Sequence, residues 1–210
     1  MLDRILPVPY LSQPTNNTCQ STCLKMYGMY LANRIGMSSP VQAMSITDIW
    51  KEINRSADRP SKLRNSYENM VWWLNQHFPH YAFAVQSTRN TDEAMSVVVG
   101  KIDAGFPVMV STNHANTAGH IILVIGYTGV LRLQSSGAKF VCHDPYGKFN
   151  PQVGSPLHGN RRYEGGSSLA SGGEEGPGKA VVYDANGIRR IRADKHSNGT
   201  YFLIAGSGNL

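Results

Sequence analysis

The chain has 210 residues, of which 41% are hydrophobic and 16% charged, the balance of one globular domain with a buried core rather than of a disordered or fibrous chain. No apolar run reaches the roughly 18 residues a bilayer requires, so no membrane association by a spanning helix is expected. Net charge is +6, with a basic cluster at Arg189, Arg190, Arg192 and Lys195; without aromatic interleaving or a recognition motif it reads as a solvated face, and nucleic acid is not an expected partner.

The opening stretch, MLDRILPVPYLSQ, is prolyl and extended. It lacks the basic, apolar and small-residue succession of a signal peptide, so the chain is expected to be cytoplasmic as synthesised. In SQPTNNTCQSTCLKMY (12–27) and beyond, Cys19, Cys23, Met26, Tyr27, Tyr30 and Leu31 recur at the three-and-four spacing of a buried helix face, with Thr18 or Asn17 placed to cap it. Three cysteines is an odd number, and the pair at Cys19 and Cys23 sits one helical turn apart, so no disulfide framework is expected. Further helices are predicted over 45–55, 65–78 and 91–105; in the last, Met95, Val98, Val99 and Ile102 share a face and Gly105 ends it.

After Pro107 the pattern changes to β-branched or apolar runs separated by turn residues: PVMVST, HIILVIGYT, KFVCHD, KAVVY, GIRRIR and TYFLIAG. Between them, residues 147–178 are rich in Gly, Ser and Pro and read as a flexible loop insertion or a lid, since the stretch directly follows Asp144 and Pro145. With no internal repeat and no second boundary, the expected architecture is α+β: a helical N-terminal half packed on an antiparallel sheet in a single domain spanning 1–210.

Several residues in this arrangement can do chemistry together. Cys19 falls in the first helical turn, where unpaired backbone N–H groups and the helix dipole favour an anion, while Cys23, one turn deeper, reads as a small buried hydrophobe. A thiol nucleophile needs a base and a group to orient that base. His120 opens the strand HIILVIGY behind Gly119, and Asp144 closes the strand KFVCHD; in an antiparallel pair the start of one lies beside the end of the other, which would bring carboxylate and imidazole together. Gln13, six residues before Cys19, can return its amide to the same helix terminus and, with the Cys19 N–H, offer two donors to an oxyanion. His114 is a second candidate for the base, less rigidly held in its loop than a residue at a strand end. A zinc site from Cys19, Cys23, His120 and His143 has poor ligand spacing, and no metal is expected.

The succession VPYLSQ (8–13), the six-residue step from Gln13 to Cys19, CLKMY, GHIILVIGY and HDPYG resembles the C39-like cysteine peptidases of the papain superfamily over roughly two-thirds of the chain. That resemblance implies a papain-like fold, a Cys-His-Asp triad of Cys19 (nucleophile), His120 (base, then acid) and Asp144 (orienter), Gln13 in the oxyanion hole, and no cofactor. It implies a protein or peptide substrate, cut after a Gly-Gly pair in a narrow cleft where Gln20 and Gly119 meet the substrate. Gln20 stands where the family usually has Gly. No exporter region follows, which suits an antibacterial effector carried into a rival cell by a secretion system and held in check by an inhibitor protein. A peptidoglycan amidase or endopeptidase, or a catalytically silent binding module, are the alternatives.

Overall fold

A computed structural model describes residues 2–36, 39–112, 119–130, 138–149, 163–164, 173–185, 187–188 and 199–208. His114, the basic cluster from Arg189 to Lys195, the strand expected over GIRRIR beyond Ile188, and most of the 147–178 stretch lie outside these residues.

Strand β1 (Leu2–Ile5) precedes helices α1 (Cys19–Ile35), α2 (Pro40–Ala43), α3 (Ile46–Arg55) and α4 (Tyr67–His77), then β2 (Ala82–Thr88) and α5 (Thr91–Asp103). The rest is strand: β3 (Val108–Thr112), β4 (His120–Val130), β5 (Lys139–His143), β6 (Lys148–Phe149), β7 (Tyr163–Glu164), β8 (Val181–Tyr183) and β9 (Tyr201–Ser207). The main sheet runs β2-β9-β3-β4-β5-β8, with β1 also on β4, and every pairing is antiparallel. The fold is therefore the expected α+β arrangement, corrected in one respect: two strands belong to the first half. β2 was not foreseen, because it is an edge strand in which only Phe83 is buried, so its sequence carries almost no alternation.

Serine and asparagine caps explain where most helices start. Ser45 accepts from Asp48 N–H, Ser66 from Glu68 N–H, and Asn90 from both Asp92 and Glu93 N–H. Glycine in the left-handed region ends others: Gly36 closes α1 at φ 62°, and Gly105 turns the chain after α5 at φ 86°.

Helix α1 is not the one-faced amphipathic helix its apolar spacing suggests. It packs on β4 and also against α2, α3 and α4, so Gln20, Ser21, Thr22 and Lys25 are buried with the apolar residues. Burial of Lys25 is tolerated because its ammonium donates to three carbonyls, those of Val41 (2.7 Å), Gln42 (2.8 Å) and Met44 (2.6 Å), which offsets desolvation that would otherwise disfavour the charge. A central helix whose first residue is a cysteine is thus fixed on all sides before any chemistry is considered.

Candidate active site

Cys19 is the first residue of α1. Its N-cap neighbour Thr18 turns its hydroxyl back to the Thr15 carbonyl (2.9 Å) and makes no side-chain cap bond, and no acidic residue stands in the first turn. The first amides of the helix are thus left without the side-chain acceptor usual at a helix start, a place that favours negative charge.

The β4–β5 ladder pairs Leu123 with His143 and Thr128 with Lys139, so His120 and Asp144 sit at the same end of the two strands. His120 Nε2 lies 2.7 Å from Asp144 Oδ1, and both residues are buried. A carboxylate accepts only, so Nε2 carries the proton and Nδ1 is left for the thiol. Burial acts to lower the His120 pKa, but the Asp144 charge, the hydrogen bond to it, and the hydrogen bond and charge of Cys19 outweigh it and raise it to about 10.

Asp144 is itself held firmly. Oδ1 also accepts from Tyr146 N–H (3.0 Å), and Oδ2 accepts from the Tyr183 hydroxyl (3.0 Å). Burial and the Asp144 charge push the Tyr183 pKa well above the tyrosine range, so the hydroxyl stays a donor. Tyr183 was missed in the sequence: it acts on a residue far away in the chain, and VVY carries no local sign of it. The end of the Gly/Ser/Pro-rich stretch is docked here as well. Asp144 N–H donates to Gly178 O (2.9 Å), Ser12 N–H to Gly173 O (2.9 Å), and a Cβ on Gly178 would stand 1.8 Å from Asp144 O, so only glycine fits.

Gln13 lies on the loop before α1, with its N–H on Pro145 O (2.8 Å). Its side chain is fully buried, donates through Nε2 to Thr15 O (2.7 Å), and leaves Oε1 without a partner among the described residues. It does not line the cleft that opens at Cys19.

Cys23 is fully buried, with its sulfur 3.5 Å from Ile121 O, and burial first, then the neighbouring Cys19 and Asp144, raise its pKa. His143, the fourth member of the zinc alternative, has both ring nitrogens in use: Nδ1 accepts from Ala180 N–H (3.1 Å) and Nε2 donates to Val8 O (2.9 Å). Burial lowers its pKa, so it is a neutral structural imidazole with no lone pair left for a metal.

A cleft of about 650 Å³ leads away from Cys19. Its floor is a row across four strands, Ser87, Phe202, Ser111 and Ile121, which the strand register places side by side. The facing wall is the segment leading into α4, including Asn65 and Tyr67, with the Tyr67 ring stacked on Phe202 at 4.9 Å. Gly119, at φ 135°, borders the cleft immediately before His120 without adding a side chain. Gln20 borders it beside Cys19: Cys19 Sγ donates to Gln20 Oε1 at 3.2 Å, and Gln20 Nε2 donates to Asn65 Oδ1.

A helix that opens on a cysteine, packed on an antiparallel sheet that carries a histidine and an aspartate to it, is the papain-like fold of cysteine peptidases. The sequence pattern of the Peptidase_C39 like family matches residues 5–165, and the chain belongs to that family. Among curated proteins none matches it. Among solved structures it resembles UfSP from C. elegans, with a TM-score of 0.55 at 14% identity; the likeness covers 98% of this chain and 34% of that one, so the chain spans about a third of the length of UfSP. Among the described residues no helix is long and apolar enough to cross a membrane.

Proposed function

We propose that the protein is a cysteine endopeptidase in which Cys19 is the nucleophile, His120 the base and then the acid, and Asp144 the group that orients the imidazole. The observation that carries this is the 2.7 Å contact of His120 Nε2 with Asp144, since it leaves Nδ1 facing the thiol at the start of α1. The Asp144 charge that raises the His120 pKa draws the Cys19 proton onto Nδ1, so the pair rests with that proton on the ring; the sulfur attacks a peptide carbonyl, and the imidazolium protonates the departing amine. Water, deprotonated by the same ring, then releases the acyl group from sulfur.

The developing oxyanion is met by the Cys19 backbone N–H at the uncapped helix start. Gln13 is proposed as the second donor: its buried Nε2 donates to Thr15 O, and the role requires the amide to turn toward the cleft, which it does not line at rest. One domain over 1–210 belongs to the same proposal, supported by a sheet that joins β1 to β9. Cleavage after paired glycines is supported by the close quarters at the thiol: Cys19 is 7% exposed, with the buried Gln20 against its sulfur and side-chain-free Gly119 on the cleft border.

The test is to add wild-type protein, and separately Cys19→Ala, to a bacterial lysate and identify new protein N-termini by mass spectrometry. Termini that appear with wild type alone support a protein-cutting peptidase, and residues preceding them report whether glycine pairs are preferred. An unchanged set of termini would defeat the proposal.

A further inference from the structure

Strand β2 is one edge of the main sheet and pairs with β9 alone. Along an antiparallel edge strand the residues alternate: one exchanges both backbone bonds with its partner, and the next points both groups away from it. Asn75, on α4, shows which residues point away. Phe83 N–H donates to Asn75 Oδ1 (2.9 Å) and Phe83 O accepts from Asn75 Nδ2 (3.2 Å), so the outward set is Phe83, Val85 and Ser87.

The Asn75 amide thus takes the place of a neighbouring strand at Phe83, and nothing does so further along. The amides and carbonyls of Val85 and Ser87 meet no partner among the described residues, and both residues are exposed. Edge strands are ordinarily guarded by charge, proline or a bulge. The sequence AFAVQST has neither charge nor proline, and its register with β9 is unbroken from Ala82 to Thr88.

These two open rungs lie at the far end of the cleft that starts at Cys19. Val85 and Ser87 both border it, and Ser87 ends the row across its floor that begins at Ile121. Three strand spacings separate the ends of that row, roughly 14 Å, which about four extended residues span. In the peptidase reading the glycines before the cut lie in this cleft near Gln20 and Gly119, so the chain upstream of them arrives at β2. A second copy of the protein is the poorer occupant: two rungs stopped by Asn75 offer far less than the roughly 1,200 Å² that a stable interface buries.

Resting on the peptidase reading above, we propose that β2 is a docking edge for the substrate: the polypeptide upstream of the cut, from about its fifth residue, turns onto this edge and adds a short strand, exchanging backbone bonds with Val85 and Ser87. Recognition there is by main chain and makes little demand on sequence. It requires an extended segment with free amides and rejects a stretch already folded into a helix.

The probes are two thiol-selective acyloxymethyl ketones, from which the sulfur displaces the carboxylate: acetyl-Ala-Thr-Gly-Gly, and the same peptide extended upstream by Thr-Val-Thr-Val. Their rates of attachment to Cys19 are followed by mass spectrometry, with Cys19→Ala as the blank. In the wild type the long probe should attach about thirtyfold faster, as two or three backbone hydrogen bonds would give. N-methylation of its four added amides should return it to the rate of the short one. Val85→Pro removes an outward N–H without touching the β9 ladder, and should slow the long probe about tenfold and the short one not at all. Val85→Thr keeps the N–H and should slow neither. If Val85→Pro slows both probes the fold is impaired, and the N-methylated probe on the wild type decides. Equal rates for the two probes, a gain that survives N-methylation, or a loss in Val85→Thr equal to that in Val85→Pro overturns the docking edge and leaves the peptidase reading in place. Failure of both probes to attach defeats that reading and the docking edge with it.

Discussion

The starts of α5 and α1 are opposite solutions to one problem. At α5 the Asn90 side chain accepts from two first-turn amides, and Asp92 and Glu93 add negative charge where the dipole favours it. At α1 the N-cap hydroxyl is turned away and the first turn holds no acid. Bare amides cost an isolated helix stability, but α1 is held by packing on every side and does not depend on its cap. The difference teaches that this chain uses capping where a helix needs it and withholds it where the proposed reaction forms an anion.

The comparison breaks most decisively at the thiol. Cys19→Ala and His120→Ala should each abolish cleavage, by a factor on the order of ten thousand or more, with the folded circular dichroism spectrum retained; residual activity at wild-type level in either would remove the bare helix start from the chemistry.

Next comes Asp144→Asn, which keeps the shape and removes the charge; turnover should fall by a factor on the order of a thousand. It should also change how stability depends on pH. In the wild type the His120 pKa is raised from 6.5 to about 10 in the folded state, so its contribution is fully present below about pH 6.5 and is lost as pH climbs toward 10. In Asp144→Asn burial dominates, the pKa falls, and that loss of melting temperature between pH 6.5 and 10 should shrink. A variant as pH-sensitive as wild type over that range would mean that Asp144 is not what raises the His120 pKa.

The smallest effects set the two helix starts directly against each other. Asn17→Asp places an exposed carboxylate beside the start of α1 and should slow Cys19 alkylation by about threefold at low salt and hardly at all at high salt. Asn90→Ala strips the cap from α5 and should cost about 1 kcal/mol in denaturant unfolding with activity intact. If stripping α5 cost activity, or charging α1 left the thiol unmoved, the contrast between them would fail.

Much of this architecture was readable before any coordinates. The helices α1, α3, α4 and α5 follow apolar periodicity with Ser, Asn or Gly at their ends, and the ends of β4 and β5 follow from two strong apolar runs with a histidine and an aspartate at opposite termini. What was not readable depends on partners remote in the chain. Tyr183 takes its meaning from Asp144, Gln20 from Asn65, and the burial of Lys25 from carbonyls supplied by residues 41–44. The edge strand β2 escaped because its exposed face erased the pattern that identifies a strand.

The stitching of the N-terminal segment onto the far end of the sheet has a further consequence. Tyr10 hydroxyl donates to Asp144 O (3.3 Å), Gln13 N–H to Pro145 O, and Ser12 N–H to Gly173 O, all contacts between segments far apart in the chain. Such long loops close late in folding. The sulfur therefore precedes the imidazole and the carboxylate in the order of synthesis, and the candidate centre is complete only once these threads have been tied.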